Sequence, residues 1–261
     1  MIVTTGLEPN QETLRHARQL AERFGLPLVE RGDASLVSLR QRHGCEHLLV
    51  VTAKGASIQS AQEKPLFFHP NTAALRIKRL ERGDTDIMLS VCQIQPGDTV
   101  LDATLGLGAD AIVFAYAVGE RGRVIGVESE RLIALLVEDG LQTWQSDSPG
   151  LQQAMRRIEV LNRSHLDVLR EMPDRSVDVV YFDPMFERMV MASSGIQGLR
   201  PFANDAALTE ESVSEALRVA RKRVVLKEGK SGRLHERFGL IPYRTRQHQV
   251  VYSYREALGG E

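Results

Sequence analysis

Residues 100–111 constrain the fold most strongly, because an apolar run, two glycines and a second apolar run follow one another there. The run that ends at Asp102 is typical of a buried strand, and the run from Ala109 onward is typical of a helix. Gly106 and Gly108 lie between them, where a missing Cβ lets a ligand approach the main chain closely. The stretch predicts a strand, a ligand-binding loop and a helix.

The alternation of strand and helix continues along the chain. We expect strands at residues 99–103, 123–128, 158–161, 177–182 and 223–227, and helices at 109–118, 130–144, 165–171 and 209–220. This order predicts an α/β fold with a doubly wound sheet. A final antiparallel strand pair is expected within residues 243–254. Residues 1–84 are predicted to form a small N-terminal α/β unit with a basic helical linker, and residues 85–261 the main domain.

Composition narrows the function classes. The 261 residues carry a net charge of −1, so contact with nucleic acid would need a local basic surface. The two cysteines, Cys45 and Cys92, form no CxxC pair, and the sequence lacks a metal-ligand pattern. No apolar run reaches the ~20 residues that span a bilayer, and the first residues do not resemble a signal peptide. We therefore expect a cytoplasmic protein without metal or membrane contact.

Polar residues at two further strand ends extend the predicted ligand site. Glu128 ends the strand after the glycine loop, where a carboxylate can accept hydrogen bonds from both hydroxyls of a ribose. Ser164 and His165 follow the next strand, where they could bind an adenine, although His165 could equally be an ordinary helix-start residue. The loop lacks the third glycine of the GxGxxG motif, which disfavours a hydride-transferring enzyme. It also lacks the lysine of an NTP-binding loop, which disfavours NTP hydrolysis.

Asp183, Pro184 and Phe186 are the candidate catalytic residues. They belong to an Asp-Pro-Met-Phe segment that follows a predicted strand. A carboxylate and a nearby carbonyl can accept hydrogen bonds from both N–H groups of a planar amine. An aromatic ring can stack on the plane of the base that carries this amine. Pro184 fixes φ and removes a competing donor. Together with the glycine loop, the segment predicts methyl transfer from S-adenosylmethionine (SAM) to an exocyclic nitrogen. An ordinary strand-ending turn with a core phenylalanine is the alternative interpretation.

Basic residues cluster in two parts of the chain. One group lies at Arg76–Arg82, and the other runs through the C-terminal third: Arg218, Arg221, Lys222, Arg223, Lys227, Lys230, Arg233, Arg237, Arg244 and Arg246. Such residues often belong to a solvated face. Together they could instead form a rim that binds RNA phosphates.

The motifs together resemble those of the bacterial RsmJ-like family of SAM-dependent methyltransferases, which act on guanine N2 of small-subunit ribosomal RNA. The resemblance runs from about residue 67 to residue 227. It is carried by DATLGLGADA at 102–111, VES at 127–129, ALLVEDGL at 134–141, YFDPMF at 181–186 and RVVLK at 223–227. The Asp-Pro-Met-Phe segment makes it fairly specific.

The resemblance implies a class I Rossmann-like methyltransferase fold, SAM as cofactor and ribosomal RNA or the small ribosomal subunit as partner. It also implies roles for individual residues. Asp110 and the backbone at Ala109 would contact the methionine part of SAM, Glu128 and Ser129 would hold the ribose, Ser164 and His165 would lie beside the adenine, and Asp183 would lie between cofactor and amine. Asp102, Gly106 and Gly108 complete the predicted cofactor loop.

Two departures from the family pattern keep other acceptors open. The family commonly has arginine where this chain has Ala109, and proline where it has Glu187. A methyltransferase for a protein or small molecule is therefore an alternative, as is a non-catalytic RNA-binding protein with a vestigial pocket.

Overall fold

A computed structural model describes residues 1–61, 64–184, 208–243 and 250–257. Its described residues form two compact units. The first contains residues 1–69 together with residues 135–144. The second contains residues 70–134, 145–184, 208–243 and 250–257. The boundary that the sequence predicts between residues 84 and 85 stays a prediction.

The first unit is built on a four-stranded sheet with the order β1-β2-β3-β4. The strands are β1 (Ile2–Thr5), β2 (Leu48–Thr52), β3 (Gly55–Gln59) and β4 (Leu66–Phe67), and the helices are α1 (Gln11–Phe24) and α2 (Leu36–His43). Asn10 caps α1 by accepting from the Thr13 amide at 2.8 Å. Residues 26–30, which follow α1 and are largely apolar, do not form a strand: Leu28 forms only an isolated bridge with Val3, and Pro27 has no N–H to extend the ladder.

The second unit contains the predicted doubly wound sheet. Its strands are β5 (Thr99–Asp102), β6 (Arg123–Val127), β7 (Ile158–Leu161), β8 (Val177–Phe182), β9 (Ala220–Gly229), β10 (Ile241–Pro242) and β11 (Val250–Glu256). Their order is β10-β11-β9-β8-β5-β6-β7. Strands β5 to β9 pair in parallel, whereas β11 is antiparallel to both β9 and β10. This confirms the predicted α/β fold with a doubly wound sheet.

Helices precede and connect these strands. They are α3 (Asn71–Glu81), α4 (Ile87–Cys92), α5 (Ala109–Val118), α6 (Arg131–Thr143), α7 (Pro149–Arg156), α8 (His165–Glu171), α9 (Glu210–Val219) and α10 (Leu234–Arg237). Residues 135–144, which include most of α6, group with the first unit. Among the described helices, none is both long and apolar enough to cross a membrane.

The sheet topology fixes where a ligand can bind. The chain runs from β5 through β6 to β7 on one side, and then returns to β8 and β9 on the other side of β5. The direction of strand addition thus reverses between β5 and β8. In such sheets, ligands bind outside the carboxyl ends of the strands at this reversal. Apolar side chains such as Leu101, Val180 and Val224 are buried beneath it.

Candidate active site

The loop between β5 and α5 is open above its first glycine. Gly106 has φ +50°, and a Cβ placed there would meet no atom within 4 Å. Gly108 caps α5 in the left-handed conformation with φ +77°. The loop is fixed by hydrogen bonds from the Leu105 amide to the Val127 carbonyl and from the Gly108 amide to the Leu105 carbonyl. The loop therefore keeps its shape and leaves main-chain atoms accessible to a ligand.

Glu128 follows β6 and faces this loop. Its Oε2 accepts a hydrogen bond from the Gly106 amide at 3.1 Å, and its Oε1 accepts one from the Glu130 amide at 2.8 Å. Burial raises the pKa of Glu128. Asn162, which the sequence analysis did not single out, donates from Nδ2 to the carbonyls of Glu128 at 2.8 Å and Ser129 at 3.1 Å. The carboxylate is thus held beside the glycine loop.

Ser164 and His165 lie at the start of α8. Ser164 is the N-cap residue, and its carbonyl accepts from the Val168 amide. The His165 ring lies 5.8 Å from the Phe182 ring in an edge arrangement, and its Nε2 lies 3.1 Å from Ser212 Oγ. Burial lowers the pKa of His165, which favours a neutral ring. The proposed adenine contact stays a prediction, and the ring also has partners within the protein.

Asp110 lies in the first turn of α5, next to Ala109, and binds three donors of the protein. Its Oδ1 accepts from Arg76 Nη1 at 2.5 Å. Its Oδ2 accepts from the Tyr181 hydroxyl at 2.7 Å and from Lys227 Nζ at 2.9 Å. Burial opposes ionisation, but the two cations hold the pKa of Asp110 well below its usual range. Contact of this carboxylate with the methionine part of SAM stays a prediction.

Arg76 lies inside this network rather than on a basic surface. It binds Asp86 with two hydrogen bonds, Nε to Oδ2 at 2.7 Å and Nη2 to Oδ1 at 2.9 Å. Asp86 also caps α4 through the Met88 amide at 3.0 Å. The side chains of Arg76 and Asp86 are only 19% and 11% exposed. Arg76 therefore connects the start of α4 to the start of α5.

Asp183 follows β8 at the sheet reversal. Its amide donates to Thr104 Oγ1 at 2.5 Å, which ties it to the glycine loop. Its Oδ2 accepts from Lys227 Nζ at 2.7 Å, and its side chain is 26% exposed. Burial raises the pKa of Asp183 to about 6, and Lys227 opposes this rise. Pro184 comes next, and the candidate catalytic residue Phe186 lies outside the described residues.

Asp102 provides a second carboxyl group at this edge. Its side chain is buried, and in the described part of the chain its polar contact is with the Thr104 amide at 3.2 Å. Burial and then the charge on Asp110 raise the pKa of Asp102 well above its usual range. A buried carboxyl group with so few donors could accept a cationic group of a ligand.

Apart from Lys227, which binds Asp110 and Asp183, the described cations of the C-terminal third fall into two groups. Those near the start of β9 are paired with carboxylates: Arg218 with Asp174 and Glu215, Arg221 with Asp178, Lys222 with Asp98 and Arg223 with Glu256. Lys230, Arg233 and Arg237 follow the carboxyl end of β9, are exposed and form no ion pair with another described residue. Arg244 and Arg246 lie outside the described residues. Among the described cations of this third, the second group is the one available to a phosphate-binding rim.

Comparison with known proteins places the chain in a family. Residues 33–249 match the family model described as "Putative SAM-dependent methyltransferase". The chain belongs to this family. It is a SAM-dependent methyltransferase of the RsmJ-like group, with SAM as its cofactor.

Individual relatives cover most of the chain. A Bacillus subtilis protein named YpiP is 42% identical over 238 residues, which are 91% of this chain and 92% of the relative. Ribosomal RNA small subunit methyltransferase J of Pseudomonas aeruginosa is 30% identical over 216 residues, 81% of this chain and 78% of the relative. A SAM-dependent methyltransferase from Neisseria gonorrhoeae has the same fold, with a TM-score of 0.67 at 19% identity, covering 100% of this chain and 98% of that structure.

The described residues can accommodate SAM. The open main chain at Gly106 leaves room for the cofactor. Glu128 has acceptor oxygens for hydroxyl groups, and the buried Asp102 carboxyl can accept an amino group. Within the described ranges, no group of three or more His, Cys, Asp or Glu side chains is arranged to hold a metal ion.

Proposed function

We propose that this protein methylates an exocyclic amine of a nucleobase in small-subunit ribosomal RNA, with guanine N2 as the target. The position of Asp183 carries the proposal. Its partly exposed carboxylate lies at the sheet reversal, and its main-chain amide is tied to the glycine loop through Thr104. The relatives named ribosomal RNA small subunit methyltransferase J, at about 30% identity, support RNA as the acceptor.

We propose the following cofactor contacts, which the resemblance to the RsmJ-like family implies and which the open glycine loop and the buried Asp102 carboxyl group support. Glu128 accepts hydrogen bonds from the ribose hydroxyls, with Ser129 beside it. Asp102 binds the amino group of the methionine part, Asp110 and the backbone at Ala109 border that part, and the loop at Gly106 and Gly108 packs against it. Ser164 and His165 lie beside the adenine.

The chemistry depends on orienting a weak nucleophile. The bound cofactor supplies a methyl group on a sulfonium sulfur. Asp183 accepts a hydrogen bond from an N–H group of the amine and so turns the nitrogen lone pair toward that methyl carbon. This orientation of the reacting atoms accelerates the transfer. Transfer of this methyl group would form a C–N bond and break the C–S bond, whose electron pair would stay on sulfur. The carboxylate stabilises the positive charge that develops on nitrogen, and the proton then leaves to solvent. Phe186 would stack on the base plane.

The unpaired cations provide an RNA-binding surface in this proposal. Lys230, Arg233 and Arg237 extend beyond the carboxyl end of β9, the sheet edge at which Asp183 lies. Phosphate contacts position RNA without reading its sequence. A target base within folded RNA must also leave its stack to reach Asp183. The cations near the start of β9 are paired with carboxylates. The carboxyl end of β9 should therefore attract phosphates more strongly than its start does.

Transfer of tritiated methyl groups tests the proposal. RNA and protein fractions from cells that lack the gene are incubated with tritiated SAM and either the wild-type protein or Asp183→Asn. We expect label in small-subunit RNA with the wild type and a loss of at least a hundredfold with the variant, while SAM binding persists. Asp174→Asn is the matched control, because Asp174 lies before β8, is 75% exposed and should leave transfer unchanged.

Two outcomes would contradict parts of the proposal. Undiminished transfer by Asp183→Asn would remove the role of the carboxylate. Label in protein rather than RNA would favour the other acceptor class, which the departures at Ala109 and Glu187 already bring into consideration.

A further inference from the structure

Lys227 lies beside Asp183 because of the register of the sheet. Strands β8 and β9 are parallel, with Phe182 opposite Leu226, so the next residue of each strand is also adjacent. Lys227 Nζ lies 2.7 Å from Asp183 Oδ2 and 2.9 Å from Asp110 Oδ2, and its side chain is only 19% exposed. It is therefore a half-buried cation between two carboxylates, not part of a solvated basic face.

The ion pairs form a continuous series of alternating charge. Its order is Asp86, Arg76, Asp110, Lys227 and Asp183. The interior carboxylate, Asp110, keeps donors from Arg76 and Tyr181 if Lys227 is removed. The terminal carboxylate, Asp183, has Lys227 as its cationic partner among the described residues. Loss of the lysine charge should therefore affect Asp183 more than Asp110.

Lys227 is unsuited to act as a general base. Burial opposes its charge, but Asp110 and Asp183 raise the pKa of Lys227 above its usual range. The ammonium group has three N–H donors, of which two bind these carboxylates. Its chemical contribution is then a fixed positive charge and a fixed donor.

We infer that Lys227 is a positioning residue for methyl transfer, which holds Oδ2 of Asp183 and leaves Oδ1 for the acceptor amine. The inference rests on the proposed role of Asp183. A carboxylate whose Oδ2 is held by the lysine presents Oδ1 in a fixed orientation, whereas a free carboxylate rotates and, when protonated, has a weaker acceptor capacity. Lys227 would thus set both the geometry and the charge of the group that orients the nucleophile.

Other charged or titratable groups face Asp183 from the surrounding elements. These are Asp110 on α5, Arg76 on α3, Asp102 on β5, and the tyrosines Tyr181 on β8 and Tyr252 on β11. The neighbouring carboxyl groups disfavour ionisation of Asp183, while Arg76 favours it more weakly than Lys227 does. Removing the lysine charge therefore leaves a more negative environment and should raise the pKa of Asp183.

Direct titration of the Asp183 carboxyl group tests the inference without any turnover. Carbon-13 NMR of the cofactor-free protein is recorded against pH for the wild type, Lys227→Met and Lys227→Arg, with Asp183→Asn used to assign the resonance. We expect the midpoint to rise by at least one pH unit in Lys227→Met, a tenfold change in ionisation, and to stay near the wild-type value in Lys227→Arg. An unchanged midpoint in folded Lys227→Met would overturn the inference. If that variant does not fold, Lys227→Gln replaces it with the same expectation.

The pH profile of kcat/KM separates positioning from simple structural support. We expect the acidic limb of Lys227→Met to move upward by the same amount, so that the loss of activity is greatest below pH 7. A uniform loss at every pH, with a wild-type limb, would mean structural support alone. Full activity of Asp183→Asn would refute the role proposed for the Asp183 carboxylate, whereas an inactive Asp183→Asn with an unshifted Lys227→Met would refute only this inference.

Discussion

Arg76→Met tests the energetic importance of the buried ion pairs. Arg76 makes two hydrogen bonds to Asp86 and one to Asp110, and its side chain is 19% exposed. Removing one partner of a buried pair costs about 3–5 kcal/mol, because the remaining charge loses its compensation. Asp86 keeps the helix-cap amides and Asp110 keeps Lys227, which places the expected loss of unfolding free energy near 3 kcal/mol, the lower end of that range.

Urea unfolding, followed by circular dichroism, measures this loss. Arg79→Met is the matched control on the same helix, because the Arg79–Asp84 pair has an N–O distance of 3.4 Å and side chains that are 65% and 53% exposed. A surface pair of this kind contributes about 0–1 kcal/mol. If Arg76→Met destabilises the protein no more than Arg79→Met does, the view that Arg76 anchors the site is wrong.

Three further predictions concern other residues. In the first unit, hydrogen bonding to Asp139 raises the pKa of His16, so His16→Ala should lower the free energy of unfolding more at pH 5 than at pH 9. Urea unfolding at both pH values measures this, and an equal loss of unfolding free energy would contradict it. Glu128→Ala should weaken SAM binding at least tenfold by calorimetry, since hydrogen bonds to a charged group contribute about 1.5–3 kcal/mol each; unchanged affinity would remove Glu128 from the ribose site. Charge reversal at Lys230 and Arg233 together should weaken RNA binding and reduce its salt dependence without changing SAM affinity, and a filter-binding assay with wild-type values would refute the RNA-binding surface.

The sequence was sufficient to predict the elements that carry the site. Alternating apolar runs and turn residues predicted the parallel sheet, because the spacing of apolar residues and the positions of turn residues can be read from short stretches of sequence. The glycine loop and Asp183 were placed at strand ends, and strand ends of a parallel sheet lie at one edge. Their proximity in the structure, through the Asp183 amide and Thr104, follows from that rule.

The charge pairing could not be predicted in the same way. Arg76 and Lys227 have the same appearance in sequence as exposed basic residues, and their partner Asp110 lies 34 and 117 positions away. Only the strand order, with β9 beside β8, brings Lys227 to Asp183. Asn162 was missed for a similar reason, since its partners are main-chain carbonyls on a different strand end.

The most direct test of the central claim is the identity of the methylated nucleoside. Small-subunit ribosomal RNA from cells lacking the gene is methylated in vitro with labelled SAM, digested to nucleosides and separated by chromatography with mass detection. Our account predicts that the label coincides with N2-methylguanosine, and that Asp183→Asn abolishes it. Label on a ribose hydroxyl or a ring carbon, or label independent of Asp183, would contradict the account.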